Sequence, residues 1–132
     1  MTLPRSGFKS GGLTTSLGAD QVLYSVEAHT LDDTLTVEER HSLHHNSGAS
    51  GEVILTLPSA TTGDWFQFYV ATAQYLRVKA APTDNIRLGT AGVSAGGGYV
   101  RTNAQGSGLL VFALDATTWG TEITGGMWTI DA

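Results

Sequence analysis

The sequence contains no cysteine, only three prolines and no long apolar run. Without cysteine, the chain has neither disulfides nor thiolate metal sites. No apolar stretch resembles the core of a secretory signal, about 7–15 residues, or approaches the length of a membrane span. We therefore expect no membrane partner. A chain of 132 residues fits one domain, which buries about two-thirds of its unfolded surface and needs no covalent staple.

Charge is also scarce, since charged residues make up 14% of the chain against about 25% in an average domain. The net charge is -5, whereas a nucleic-acid surface needs clustered Lys and Arg to release counterions. We therefore expect no nucleic-acid partner. The 17 glycines stand among abundant Thr, Ser and Ala, a composition typical of an all-β protein.

The clearest strand pattern lies in residues 53–60, VILTLPSA. Val53, Leu55 and Leu57 alternate with Ile54 and Thr56, as in a strand with one buried face. Pro58 ends this strand, because proline has no N–H for the sheet ladder. The aromatic run in residues 65–70, WFQFYV, then predicts a partner strand across a shared core.

Further short β-patterns follow one another with turn signals between them. They lie in residues 21–26, 34–37, 75–80, 85–89, 99–102, 109–114 and 125–130. Residues 109–114, LLVFAL, are apolar on both faces and predict a central strand, joined to residues 99–102 as a hairpin with a long turn. The sequence predicts an all-β fold, a single β-sandwich or jelly-roll-like domain over residues 21–132.

Residues 1–20 show no strong period but carry four spaced apolar residues, Leu3, Phe8, Leu13 and Leu17. Such a segment is either a solvated terminus or an extended arm whose apolar side chains dock elsewhere. Four large apolar residues are more than a solvated tail requires. We therefore interpret residues 1–20 as an extended N-terminal arm.

The sequence HSLHHN in residues 41–46 is the one pattern that suggests a metal. In a strand, His41 and His45 would share a face with Leu43, and His44 would lie on the other face. One chain then offers two convergent imidazoles, although a trimer could combine more across its axis. We interpret these histidines as solvated or packing residues and expect no metal or other cofactor.

No motif indicates catalysis, because the chain lacks a GxSxG elbow, an HExxH pair and a paired-carboxylate pattern. Asp32, Asp33, Asp84 and Asp115 lie at predicted turns, where backbone capping explains them. The glycine-rich residues 90–98 match no phosphate-binding pattern. We predict a protein that is not an enzyme.

The three tryptophans, Trp65, Trp119 and Trp128, each lie at or beside a predicted strand end. That position favours packing in the core or at a hinge over a platform for sugars.

The order of these segments resembles a β-domain found in virion proteins of tailed bacteriophages. The resemblance covers about residues 34–131 and rests on NSGASG leading into VILTLPSATTG, then LRVKAA, DNIRLG, LLVFALDATTW and a closing GGMW. It implies a non-enzymatic capsid decoration protein, head fibre or tail-fibre tip, commonly a homotrimer. For a decoration protein, it implies that Leu3, Phe8, Leu13 and Leu17 contact the major capsid protein at the virion surface.

Three functional classes are therefore compared. A decoration or head-fibre protein ranks first. A tail-fibre or receptor-binding module ranks second, because such proteins usually carry a longer shaft than 132 residues can include. A carbohydrate-binding β-sandwich module ranks third and depends on the tryptophans alone.

Overall fold

A computed structural model describes residues 25–131, which form two β-sheets packed around one hydrophobic core. In chain order, the strands of this region are β1 (Val26–Ala28), β2 (Asp33–Thr34), β3 (Leu43–His45), β4 (Val53–Thr56), β5 (Trp65–Tyr69), β6 (Leu76–Lys79), β7 (Asn85–Leu88), β8 (Gly92–Val93), β9 (Tyr99–Thr102), β10 (Gly108–Ala113), β11 (Thr118–Gly125) and β12 (Thr129–Asp131). A 3₁₀ turn, Val37–Glu39, lies between β2 and β3. The predicted all-β sandwich is confirmed.

The first six strands alternate between the two sheets. The larger sheet has the order β1-β3-β5-β10-β11-β7-β8, and the smaller sheet has the order β12-β9-β6-β4-β2. Strands β1, β3 and β5 are parallel neighbours, as are β2, β4 and β6, so this half of the chain winds as a coil. A jelly roll is built from antiparallel strands, so that alternative is not confirmed.

The two strands that were predicted to share one core at the centre of the fold are confirmed. Val53, Leu55 and Leu57 are at most 1% exposed, while Ile54 and Thr56 are only partly buried. Strand β4 belongs to the smaller sheet and β5 to the larger one, so these buried residues share one core with Phe66 and Phe68. Strand β4 ends at Thr56, two residues before Pro58, which lies in the connection to β5.

The predicted hairpin between residues 99–102 and 109–114 is wrong. Strand β9 pairs with β6 and β12 in the smaller sheet, whereas β10 pairs with β5 and β11 in the larger sheet. The connecting loop bonds to the end of β5, where Gly106 donates to the Val70 carbonyl and Val70 donates to the Ser107 carbonyl. The central position of residues 109–114 is nevertheless confirmed, since β10 lies between β5 and β11.

Two other predicted strands have different bounds. In residues 34–37 only Thr34 is in a strand, because Thr36 caps the 3₁₀ turn and its N–H donates to the Glu39 carboxylate at 2.8 Å. In residues 125–130 the strand begins at Thr129, after a turn in which Gly126 has a positive φ. The long strand β11 was not predicted.

Two further predicted strands are confirmed, and one predicted loop contains a short strand. Strands β6 and β7 lie within residues 75–80 and 85–89, and the glycine-rich residues 90–98 contain β8, which forms a short antiparallel pair with β7. Residues 1–20, the predicted arm, lie outside the described residues. So do residues 21–24 of the first predicted strand, whose last residue, Val26, begins β1.

Candidate functional site

The outer face of the larger sheet is apolar at its centre. Along β10, Leu109, Val111 and Ala113 are buried in the core, while Leu110 and Phe112 lie on the opposite face. Cross-strand pairing continues this face onto neighbouring strands, because residues paired across a sheet share a face. We define the outer apolar face by its members on four strands: Val26, Leu43, Trp65, Tyr69, Leu110 and Phe112.

A shallow groove of about 440 Å³ runs along this face, lined by Trp65, Gln67, Leu110, Phe112, Glu122 and Thr124. Gly120 on β11 pairs directly with Phe112. A Cβ at Gly120 would lie 2.7 Å from Cε2 of the Phe112 ring, which therefore lies close over this glycine. Because position 120 is a glycine, the Phe112 ring can occupy this part of the groove.

Trp65 lies on the outer face and lines this groove, so it does not pack in the core, which was one of the two positions predicted for it. The prediction is confirmed for Trp119 and Trp128, which are 0% and 5% exposed. The His41 ring stacks on the Trp65 indole with centroids 5.1 Å apart and planes inclined by 19°. His41 has a φ of 59°, and its N–H donates to the Trp65 carbonyl at 2.7 Å, which fixes this placement.

A second notable site is a group that we call the histidine cluster, consisting of the partly exposed Glu27 and two buried histidines, His29 and His44. His44 is completely buried and His29 is 5% exposed. Nε2 of His29 lies 2.9 Å from Nδ1 of His44. Oε1 of Glu27 lies 3.7 Å from the former nitrogen and 3.5 Å from the latter. The three atoms form a compact triangle of potential metal ligands.

The fold places these residues through a parallel pairing. Glu27 on β1 pairs with His44 on β3, and the backbone N–H of His29 donates to the His45 carbonyl just beyond the pair. His44 points inward and packs near the rings of Phe66 and Phe68, at centroid distances of 5.9 and 5.8 Å. The cluster thus lies between the edge of the larger sheet and the aromatic core.

Polar groups surround the histidine cluster. Nε2 of His44 lies 3.2 Å from the Glu39 carbonyl oxygen, and Nδ1 of His29 lies 3.7 Å from Oδ2 of Asp33. The Ser42 hydroxyl donates to the same Glu39 carbonyl. The 3₁₀ turn therefore supplies the backbone acceptor that holds His44.

Burial sets the ionisation of these groups. It lowers the pKa of His29 and of His44, so both imidazoles are neutral near pH 7. Burial, together with the hydrogen bond and charge of Glu39, raises the pKa of Glu27 to about 7. Burial alone would raise the pKa of Glu39, but hydrogen bonds from Thr36 and Glu27 lower it. The carboxyl groups of Glu27 and Glu39 therefore share one proton.

Ser42, His44 and Glu27 are arranged in space like the nucleophile, base and acid of a serine-hydrolase triad. The Ser42 hydroxyl lies 3.5 Å from Nε2 of His44. A nucleophile must be exposed to substrate and hydrogen-bonded to its base. Ser42 is 2% exposed, and its hydroxyl donates to the Glu39 carbonyl. The arrangement is suited to holding strand β3 in place and not to attacking a substrate.

The histidines flagged by sequence do not converge on one another. His44 is buried while His45 is only partly buried, which confirms that they lie on opposite faces. His41 stacks on Trp65 instead of joining His45 in a ligand pair. Sequence analysis missed Glu27 and His29. Their spacing, which suggests one strand face, was the available signal.

The turn aspartates divide into two kinds. Asp115 caps its turn as predicted, because its Oδ1 accepts the N–H groups of Thr117 and Thr118, both at 2.9 Å. Asp84 is only 1% exposed, and it accepts the N–H of Ala60 from a distant segment. Leu3, Phe8, Leu13 and Leu17 lie outside the described residues, so their contact with a capsid stays a prediction.

No helix in residues 25–131 is both long and apolar enough to cross a membrane. Comparison of the chain with protein-family models and with curated proteins found no match.

Proposed function

We propose that this chain is a non-enzymatic structural protein of a tailed-bacteriophage virion, which attaches to the major capsid protein lattice as a homotrimer. The observation that carries the proposal is the outer apolar face of the larger sheet. An antiparallel or mixed sheet with one face in the core ordinarily presents a polar second face to water. Aromatic and aliphatic side chains at this position favour a protein interface.

The smaller sheet provides the contrast. Its outer face carries Arg77 and Lys79, both only partly buried. The Arg77 guanidinium lies over the Tyr99 ring at 3.9 Å and bonds to Glu52 at 2.6 Å. That face has the charged, hydrogen-bonded character of a solvated surface. The difference between the two outer faces supports burial of the larger sheet against other copies of the chain.

The sequence adds the virion context. The phage-like order of segments supports a decoration or head-fibre protein, and such proteins are commonly trimeric. In this proposal the outer apolar face joins the copies, and the arm with Leu3, Phe8, Leu13 and Leu17 binds the capsid. The two roles are separate, so each has its own experiment.

The first experiment measures the mass of the purified full chain by light scattering and analytical ultracentrifugation. We expect a trimer for the wild type and dissociation for Leu110→Glu, which puts a charge at the centre of the outer apolar face. The matched control is Thr56→Glu on the outer face of the smaller sheet, which should stay trimeric. A monomeric wild type, or equal dissociation of both variants, would contradict the role of this face.

The second experiment tests capsid attachment by co-sedimentation with capsids that lack the protein, taken from a phage that encodes it. We expect the full chain to bind and the chain without residues 1–20 to bind far less, with little change in melting temperature. Equal binding by the two would contradict the arm's role. Cryo-electron microscopy of the intact particle then separates the classes, since density only on the tail would favour a fibre or receptor-binding protein.

One observation favours carbohydrate binding as a second candidate. The groove combines the Trp65 and Phe112 rings with polar groups of Gln67 and Glu122, which is a sugar-site combination of aromatic surface and hydrogen-bonding groups. His41 already covers one face of the Trp65 indole. A glycan array with the wild type and Trp65→Ala tests this candidate, and binding that Trp65→Ala abolishes would support it over the trimer interface.

A further inference from the structure

We propose that Glu27, His29 and His44 form a binding site for a divalent transition metal ion, best matched by zinc, which ties the edge strand β1 to β3. The inference depends on the geometry of the histidine cluster alone. It is independent of the trimer and of the virion role.

The three ligand atoms lie at distances that fit a zinc ion. Zinc binds nitrogen and carboxylate oxygen at about 2.0–2.2 Å, which places neighbouring ligand atoms of a tetrahedral site about 3.3 Å apart. The three separations in the cluster are 2.9, 3.5 and 3.7 Å, on both sides of that value. An ion can therefore be accommodated by movements of a few tenths of an ångström. Two imidazoles with one carboxylate leave a fourth position for water.

The hydrogen-bond partners of the two imidazoles determine which ring nitrogens carry protons. The Glu39 carbonyl can only accept a hydrogen bond, so Nε2 of His44 carries the proton and Nδ1 has the lone pair. Nδ1 of His29 faces the Asp33 carboxylate, which favours a proton on that nitrogen when Nε2 binds a metal. Both lone pairs then point into the triangle. The ion would take the place of the proton on Nε2 of His29, and that neutral ring would carry its one proton on Nδ1 instead.

Polar groups around the cluster would hold its imidazoles in the orientation that a metal needs. Metal-bound histidines usually donate their second ring N–H to a carboxylate or backbone carbonyl, which fixes the ring orientation. His44 has such a partner in the Glu39 carbonyl, and His29 faces Asp33. The cluster thus provides the metal ligands and also the hydrogen-bond acceptors that orient the two imidazoles.

The donor set indicates which ion is bound. Magnesium and calcium prefer an all-oxygen environment, whereas two imidazoles and a carboxylate suit zinc and its neighbours among the transition metals. The site would join β1, the edge strand of the larger sheet, to β3 and the 3₁₀ turn. The metal would therefore fix β1 at the edge of the larger sheet.

The competing explanation is a metal-free hydrogen bond between two neutral histidines inside the fold. That explanation predicts no stoichiometric metal binding. It also predicts no special effect of Glu27, whose carboxylate is not needed for the histidine hydrogen bond.

Isothermal titration calorimetry of the chelator-stripped full chain with zinc chloride decides between them. We expect one zinc ion per chain and a rise in melting temperature that EDTA reverses. Glu27→Gln keeps the side-chain shape but removes the ligand, and should weaken zinc binding by on the order of tenfold or more. Glu122→Gln, in the groove on the outer side of the larger sheet, is the matched control and should bind zinc like the wild type.

Two further measurements complete the test. Cobalt(II) should give the strong visible absorption of a tetrahedral site in the wild type, and His29→Gln should lose it. Magnesium should not compete. Absence of stoichiometric zinc binding would overturn the proposal, as would zinc binding that Glu27→Gln leaves unchanged, because exposed histidines would then hold the ion. Glu27 is partly exposed, so its variant stays informative if His29→Gln fails to fold.

Discussion

The Asp84 carboxylate accepts the backbone N–H of Ala60 at 2.8 Å, in a place where Asp84 is 1% exposed. This bond connects the loop before β7 to the segment after Pro58, which joins β4 to β5. A backbone N–H buried without a partner is costly, so the bond fixes where the chain crosses from one sheet to the other.

Asp84→Ala should destabilise the protein by about 1–3 kcal/mol, because it leaves the Ala60 N–H buried without an acceptor. The matched control is Asp32→Ala. Asp32 also accepts one backbone N–H at 2.8 Å, that of Ile54, but it is exposed and water can replace it. We expect a loss of less than about 1 kcal/mol for the control. Urea denaturation of both variants measures the difference, and equal losses would contradict this account.

Leu57→Ala and Phe68→Ala should each cost about 2–5 kcal/mol, because each leaves a cavity in the shared core. Leu57 is 1% exposed and Phe68 is fully buried. Ile54→Ala serves as the control, since Ile54 lies on the partly exposed face of β4 and should cost clearly less. Thermal melts provide the measurement. Losses within error for both core variants would mean that the proposed core packing is wrong.

Asp115→Asn should lower stability at neutral pH but not in acid. Hydrogen bonds from the Thr117 N–H, and then from Thr118, hold the pKa of Asp115 below its ordinary value of 3.8. A carboxyl with a lowered folded-state pKa stabilises the protein above its ordinary pKa, and this contribution disappears as the pH falls through the folded-state pKa. The gap between wild type and variant should therefore close in acid.

Denaturation at about pH 7 and at several values below about pH 4 checks this dependence. Glu38→Gln changes an exposed carboxylate in the 3₁₀ turn and is the control for a general loss of charge. A gap that stays constant over this range would contradict the role of the Asp115 charge.

Gly120→Ala should push the Phe112 ring out of the groove, because a Cβ at position 120 would lie 2.7 Å from that ring. The ring is partly exposed and can move, so we expect a modest loss of about 1 kcal/mol. The same change in a Phe112→Ala background should cost much less. A double-mutant cycle by urea denaturation gives the coupling, and additive losses would show that the ring does not depend on Gly120.

Local patterns were sufficient to predict the strands at the centre of the fold. The alternation of Val53, Leu55 and Leu57 and the aromatic run in β5 specify buried faces within a few residues. Strand β11 lacks such a signal, because Gly120 and Glu122 interrupt its apolar pattern. Its conformation depends on pairing with β10 and on the Phe112 ring, neither of which can be read from β11 alone.

The histidine cluster shows the same limit. Glu27 and His29 could be placed on one strand face from their spacing, but His44 joins them only through the parallel pairing of β1 with β3. That pairing forms only after the chain between β1 and β3 has passed through the smaller sheet as β2. Sequence analysis therefore placed His44 on the correct strand face, opposite His45, but missed the two residues that it contacts.

The alternation of strands between the sheets also affects the rate at which the protein folds. Val53 pairs with Leu76, and Val26 with Leu43, so each parallel pair requires a long loop to close before its contacts form. Among the strands of residues 25–131, only the β7–β8 and β10–β11 pairs link strands that are consecutive in the chain. The β10–β11 hairpin is therefore the place where we expect native pairing to begin, and the coil of β1 to β6 should form later. Refolding is expected on the slow scale of β-proteins, about milliseconds to seconds.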